Sequence, residues 1–188
     1  MKISLLAATI LASSFISPPA SAADDATLDE ARKVATSLPP KLLATLQAEV
    51  EKSGPAGAIS VCKDMAPKVA GEISQQTGWK IKRVSLKARN EARATPDAWE
   101  KAALEDFDKR AAAGESPAQL EKGEKIGSEY RYVKALPVMP LCLNCHGPAD
   151  KISPDVKSAL SQHYPNDRAT GYSPGQIRGA ISIRKPLN

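Results

Sequence analysis

Two cysteines separated by two residues, with a histidine directly after the second, occur once in this chain, in Leu141-Cys142-Leu143-Asn144-Cys145-His146-Gly147. Thiols at that spacing can add to the two vinyl groups of a single haem, and the adjacent imidazole is then placed beneath the iron. Cys142 and Cys145 therefore read as the attachment points of one covalent haem c, with His146 as a ligand to its iron. A redox pair or half of a zinc site would use the same residue types. A zinc site needs further ligands at suitable spacing, and none follows.

The place of the motif narrows the type of haem protein. In small electron-carrier cytochromes it lies near the amino terminus and a downstream methionine completes the ligation, but no methionine follows His146 here. Four-helix cytochromes carry the motif late and end soon after it. This chain continues for 42 residues, with Pro154, Pro165 and Pro174 and a strand-like run at 179–183, which disfavours an all-helical bundle.

Four side chains are candidates for the other face of the iron: Cys62, Met65, Met139 and His163. Met139 is three residues before Cys142 and so is tied to the near edge of the haem. Met65 reads as core filler, and His163, beside Tyr164-Pro165, as a helix-end residue interacting with last-turn carbonyls. Cys62 stands apart because it is the one cysteine outside the motif. Two readings of it stand together: a small buried hydrophobe, or a thiolate bound to ferric iron that gives a six-coordinate site of low reduction potential.

The amino terminus assigns the compartment. Met1-Lys2, an apolar run at 3–16 and Ala20-Ser21-Ala22 form a secretory leader with cleavage before Ala23. The run falls short of the roughly 20 apolar residues that span a bilayer, and no cysteine follows the cleavage site to accept a lipid. A soluble periplasmic product is expected, in which an accessible unpaired thiol is at risk of oxidation. Removing residues 1–22 leaves 166 of the 188, one domain by size. The formal charge of +5 becomes +4 with the loss of Lys2, and its cations are dispersed among acids, so nucleic-acid binding is not indicated. No later segment is long and apolar enough to span a membrane, and none resembles a signalling module, so any signal must pass to a separate partner.

The elements that must position these residues follow from periodicity. Leu28, Ala31, Val34 and Ala35, then Leu42, Leu43, Leu46 and Val50, recur at helical spacing on either side of Pro39-Pro40, which predicts two helices over 25–51. Ser53-Gly54-Pro55 is a stop followed by a start. On the next helix, to about Gln76, Ile59, Cys62, Ala66, Val69 and Ile73 share one apolar face, so Cys62 points inward. Residues 78–86 predict a strand and an arginine-rich loop follows. A helix capped by Thr95 or Asp97 runs to about Ala113, and a second strand at 128–138 leads into the haem motif. The window 118–126 suits either strand or loop. A helix at 153–163 and a strand at 176–184 complete an α+β domain.

Several blocks then carry a family resemblance. Ala58-Ile59-Ser60-Val61-Cys62-Lys63, Arg83-Val84-Ser85-Leu86-Lys87-Ala88-Arg89-Asn90, Pro96-Asp97-Ala98-Trp99-Glu100, Leu136-Pro137 before the haem motif, and the closing stretch 172–183 occur in order over most of the chain. Together they resemble the PAS-like haem c sensor family. The resemblance implies a PAS-like antiparallel sheet flanked by helices, and iron ligated by the motif histidine and by the cysteine at position 62. The family carries proline and asparagine after its Arg-Asn pair, where this chain has Glu91 and Arg93.

Arg83, Lys87, Arg89 and Arg93 lie at or near that loop, and guanidinium groups suit bidentate pairing with haem propionates; Arg89 is the candidate for that role, with a solvated basic loop as the alternative. The expected function is non-enzymatic: redox or diatomic gas sensing, or one-electron transfer to a redox partner protein. The rival is a peroxidase-type enzyme, which needs an open iron and a distal base, with His163 as the remaining histidine.

Overall fold

The computed structural model describes residues 20–187, so the predicted leader lies almost wholly outside the described residues. Among them no helix is long and apolar enough to cross a membrane.

The first element, α1 (Ala20–Thr77), is helical on both sides of Gly54, whose φ of 71° and ψ of 173° break it into two arms. The break falls at the predicted stop. Pro39-Pro40, in contrast, does not end a helix, correcting the expectation of two helices before residue 51. Proline's fixed φ is compatible with helical geometry; the cost lies in lost hydrogen bonds and crowding of the preceding turn. Here Ala35 and Leu38 on one side are buried, Leu42 on the other packs against the same core, and Pro40 itself faces solvent. Tertiary packing therefore keeps the two segments in line.

The strands are β1 (Lys80–Val84), β2 (Glu121–Ile126), β3 (Glu129–Pro137) and β4 (Ile177–Pro186), in one antiparallel sheet of order β1-β4-β3-β2. The ambiguous window resolves into a 3-10 turn at Pro117–Gln119 followed by β2. Strand β4 is central and buried from Ile177 to Ile183. It pairs Ile183 with both Ile81 and Tyr132.

Helices cover both faces, giving the expected α+β architecture. Tyr130, Tyr132, Ile181 and Ile183 meet Ala31, Val34, Leu38, Val69 and Ile73 of α1. Val133, Ala135 and Ala180 point the other way, onto Ala103, Leu104 and Phe107 of α3 (Ala98–Ala112). Alternation along each strand places successive side chains in different cores, each fully buried Leu or Phe contributing about 1.5–3 kcal/mol. Asp97 caps α3 in a reciprocal capping box with Glu100.

Glu100 does more than cap. It is fully buried, and accepts from Lys82 Nζ at 2.9 Å and Ser182 Oγ at 2.6 Å, with Arg131 Nη2 at 3.5 Å. One carboxylate thus ties α3 to three strands. The remaining helices are α2 (Glu91–Ala94) within the arginine-rich loop, α4 (Leu143–His146), and α5 (Pro154–His163), which packs Val156 and Leu160 against Ile59 of α1.

Candidate functional site

The Cys-x-x-Cys-His segment folds as a 3-10 turn, Pro140–Cys142, running into α4, and Gly147 closes it with its amide donating to the Leu143 carbonyl at 3.0 Å. A Cβ on Gly147 would stand 2.6 Å from that carbonyl oxygen, so the tight closure requires glycine. Residues 167–172 wrap around the segment. The Tyr172 amide donates to the His146 carbonyl at 2.9 Å and the Gly171 amide to the Gly147 carbonyl at 2.8 Å.

The His146 ring is fixed from behind. Its Nδ1 lies 2.6 Å from the Ala169 carbonyl, which assigns the proton to Nδ1 and leaves the lone pair on Nε2. Burial, then the charges of Arg178, Arg89 and Arg83, push its pKa well below the ordinary 6.5, so the imidazole is neutral at neutral pH. A neutral imidazole presenting Nε2 is the form that binds iron.

Cys62, Cys142, Cys145 and His146 all line one cavity of about 560 Å³ between α1, β1, the end of β3 and α4. The Cys62 side chain is exposed, because it opens onto this cavity, while its apolar neighbours Ile59, Val69 and Ile73 are buried. Its predicted inward orientation is therefore toward a cavity rather than into packed core. Burial pushes the Cys62 thiol up, and the Arg83 and Arg89 charges oppose that shift. Burial likewise raises Cys145. Met65, Met139 and His163 do not line the cavity, and Met139 is 56% exposed at the surface.

The lining suits a flat, apolar, dianionic group. Leu38, Leu46, Val50, Ile59, Ala66 and Leu136 supply apolar surface, and the charged part of the wall is cationic: Lys63, Lys82, Arg83, Arg89, Arg93 and Arg178, with no carboxylate side chain among the described lining residues. Lys82 is already paired with Glu100 and Arg89 with Asp167, whereas Arg83, Arg93 and Arg178 have no ion-pair partner among the described residues. Burial lowers the pKa of Arg83. Burial and the charge of Arg83 lower Arg178 to about 10. The cysteines and histidine are spread round the cavity; among the described residues no three His, Cys, Asp or Glu side chains gather closely enough to hold a bare metal ion.

Arg89 lies in the cavity wall, as its candidate role requires, and is already engaged there. Its Nε donates to Asp167 Oδ2 at 3.0 Å and its Nη2 to the Cys145 carbonyl, so it ties the motif to the 167–172 segment while forming part of the cavity wall. Arg178, to which sequence reasoning gave no role, is buried beside the histidine. Its Nη1 donates to Ser85 Oγ at 2.9 Å, and its Nε lies 3.1 Å from His146 Nδ1 and 3.4 Å from Nε2. The signal that could have found it is a lone arginine in the otherwise apolar, strand-forming run 177–183.

Comparison with known proteins agrees with this geometry. The structure superposes on the crystal structure of the cyanobacterial heme-protein Tll0287 with a TM-score of 0.67 at 25% identity, covering 87% of this chain and 96% of that one. No curated protein matches. A family model described as Tll0287-like matches residues 20–186, nearly the whole described chain, from the start of α1 to the last residue of β4. This chain therefore belongs to the Tll0287-like family.

Proposed function

We propose that this chain is an exported protein carrying one covalent haem c, attached through Cys142 and Cys145 and ligated by His146 and Cys62, and that it works in redox or gas sensing or in one-electron transfer. One observation carries the reading: all three cysteines and the motif histidine open onto a single cavity whose apolar wall is edged by cations and lacks carboxylates. Membership of a family that includes a heme-protein supports it.

The haem, when bound, supplies a one-electron redox change at its iron. The chain's own groups define the rest. Ala169 fixes the His146 ring through Nδ1–H, leaving Nε2 for the metal. Arg83, the largest charge opposing protonation of Cys62, favours the thiolate form that ferric iron binds. Arg83 and Arg178, both without carboxylate partners, are the cations suited to the two propionates. His146 and Cys62 would together hold the iron of a bound haem, leaving no position open to added ligands in the oxidised protein, and release of Cys62 on reduction would make one available to CO or NO.

The deciding measurement is the absorption and electron paramagnetic resonance spectrum of the ferric protein beside Cys62→Ala. Low-spin thiolate signals that disappear in the variant are expected; identical spectra would return Cys62 to a packing role. CO uptake by reduced protein alone is expected of a sensor, and refusal of CO in both states leaves electron transfer. A peroxidase reading lacks a distal base, since His163 is outside the cavity, and rapid peroxide turnover by the ferric protein would be needed to revive it.

A further inference from the structure

A second cavity lies on the other side of the sheet. It has a volume of about 630 Å³ and is bounded by the C-terminal half of α3, the turn at 114–117 and the loop 171–177 that enters β4. Its floor is apolar, made by Leu86, Leu104 and Ile177, and three charged side chains stand on its walls: Glu115, which is paired with Arg110, and the exposed Asp108 and Lys87, of opposite sign.

Neither Asp108 nor Lys87 is satisfied by a salt bridge. Of the other acids on α3, Glu100 is paired with Lys82, Glu105 with Lys101 and Asp106 with Arg110, so Asp108 is the one acid on that helix without an ion pair. Lys87 Nζ is held 4.3 Å above the Tyr172 ring and makes no salt bridge among the described residues. Burial pushes the Asp108 carboxyl up and the Lys87 charge partly offsets that, which places the two in one electrostatic neighbourhood. Two unpaired charges of opposite sign above an apolar floor match a molecule carrying both complementary charges and a short apolar chain.

We propose that this cavity binds a small zwitterion of the α-amino-acid class, its ammonium on Asp108, its carboxylate on Lys87 and its side chain on Leu86, Leu104 and Ile177. The site is joined to the first cavity by covalent structure and close contact. Tyr172 under Lys87 donates its amide to the His146 carbonyl and meets the His146 ring edge-on at 6.4 Å, and the Lys87 carbonyl accepts from Arg178. Gly179 borders both cavities. Drawing Lys87 off Tyr172 would alter the charge and packing behind the histidine, so that, on the haem reading proposed above, occupancy would be felt at an iron held by His146.

Calorimetric titration of the mature chain with L-leucine, N-acetyl-L-leucine and L-leucinamide tests the site. Leucine is expected to bind saturably, and each analogue, lacking one charge, to bind roughly tenfold or more weakly, the worth of one charge-assisted contact. Asp108→Asn should erase the preference over N-acetyl-leucine and keep that over leucinamide; Lys87→Gln should do the reverse. Because each variant retains one preference, misfolding cannot imitate this pattern. No saturable heat with leucine, or unchanged discrimination in both variants, overturns the site. The titration does not depend on the contents of the first cavity, so this proposal and the haem assignment fail separately. Link to the iron is tested by the reduction potential with and without leucine: a shift present in the wild type and absent in Lys87→Gln is expected, and an unmoved wild-type potential overturns the link.

Discussion

Arg178 is a buried cation with no carboxylate beside it, an arrangement that costs several kcal/mol unless an anion is brought to it. A positive charge held close to His146 also disfavours the oxidised, more positive state of an iron bound there. Arg178→Gln is therefore expected to lower the reduction potential, by an amount worth about 1–2 kcal/mol, and to weaken haem retention; Arg178→Lys should restore the potential in part. Spectroelectrochemical titration of the three proteins checks this. Arg89 has a different test because its contacts run through Asp167. If it acts as a tether, Arg89→Ala and Asp167→Asn should lower stability equally, by about 1–3 kcal/mol, and shift the potential alike; an effect confined to Arg89→Ala would make it a direct propionate partner. At this scale the sequence was informative where chemistry depends on neighbours in the chain. Cys142, Cys145 and His146 are legible from a spacing of a few residues, whereas the isolation of Cys62 left two readings open and only the family resemblance pointed to a ligand role. Arg178 was not, because its position follows from β4 bringing residue 178 against residues 85 and 146.

Among the elements, the double proline and the buried glutamate show opposite failures of local rules. Pro39-Pro40 reads locally as a break, yet the helix continues because its flanks are held by one core. Pro40 is exposed, so Pro40→Ala should restore a backbone hydrogen bond and raise stability by roughly 1–2 kcal/mol after allowance for the freer unfolded chain. A fall in thermal midpoint would mean that the prolines set a bend the fold uses. Glu100 reads locally as a capping residue, which is correct and incomplete. Removing it in Glu100→Ala leaves Lys82 and Ser182 without their acceptor and should cost about 3–5 kcal/mol, measured by denaturant unfolding. The window 118–126 stayed ambiguous because β2 within it is a charged edge strand, Glu-Lys-Gly-Glu-Lys-Ile, whose pattern carries little apolar alternation; only pairing with β3 identifies it.

For the molecule as a whole, acid sensitivity follows from carboxylates that fasten α1 to the sheet. The Trp79 indole and the Lys185 ammonium hold the Glu30 carboxyl below its ordinary 4.5. Burial pushes Glu121 up, but hydrogen bonds from Arg32 and Tyr132 with the nearby Lys134 charge outweigh it, and its pKa is also lowered. Groups with depressed folded values give stability that is complete above the unfolded value and is lost as pH falls through the folded one. Thermal midpoints should therefore begin to fall below pH 6.5, where the buried neutral His146 resists protonation, and fall further below pH 4.5 as these carboxylates are protonated, the second decline being less steep in Glu30→Gln. Glu30 is substantially exposed, which keeps its own share small. The α+β class was legible from the order of periodic segments, and the cavity was not, since it is the space left where α1, β1, β3 and α4 meet.

The order of strands also bears on how the protein is made. β4 follows every other element in the chain and yet lies between β1 and β3, pairing Lys80 with Arg184 across more than a hundred residues. Until that strand has emerged, β1 has no neighbour and the sheet cannot close. Under the proposed export and haem attachment, Cys142 and Cys145 would therefore be presented on a chain that is still open, before folding buries the motif.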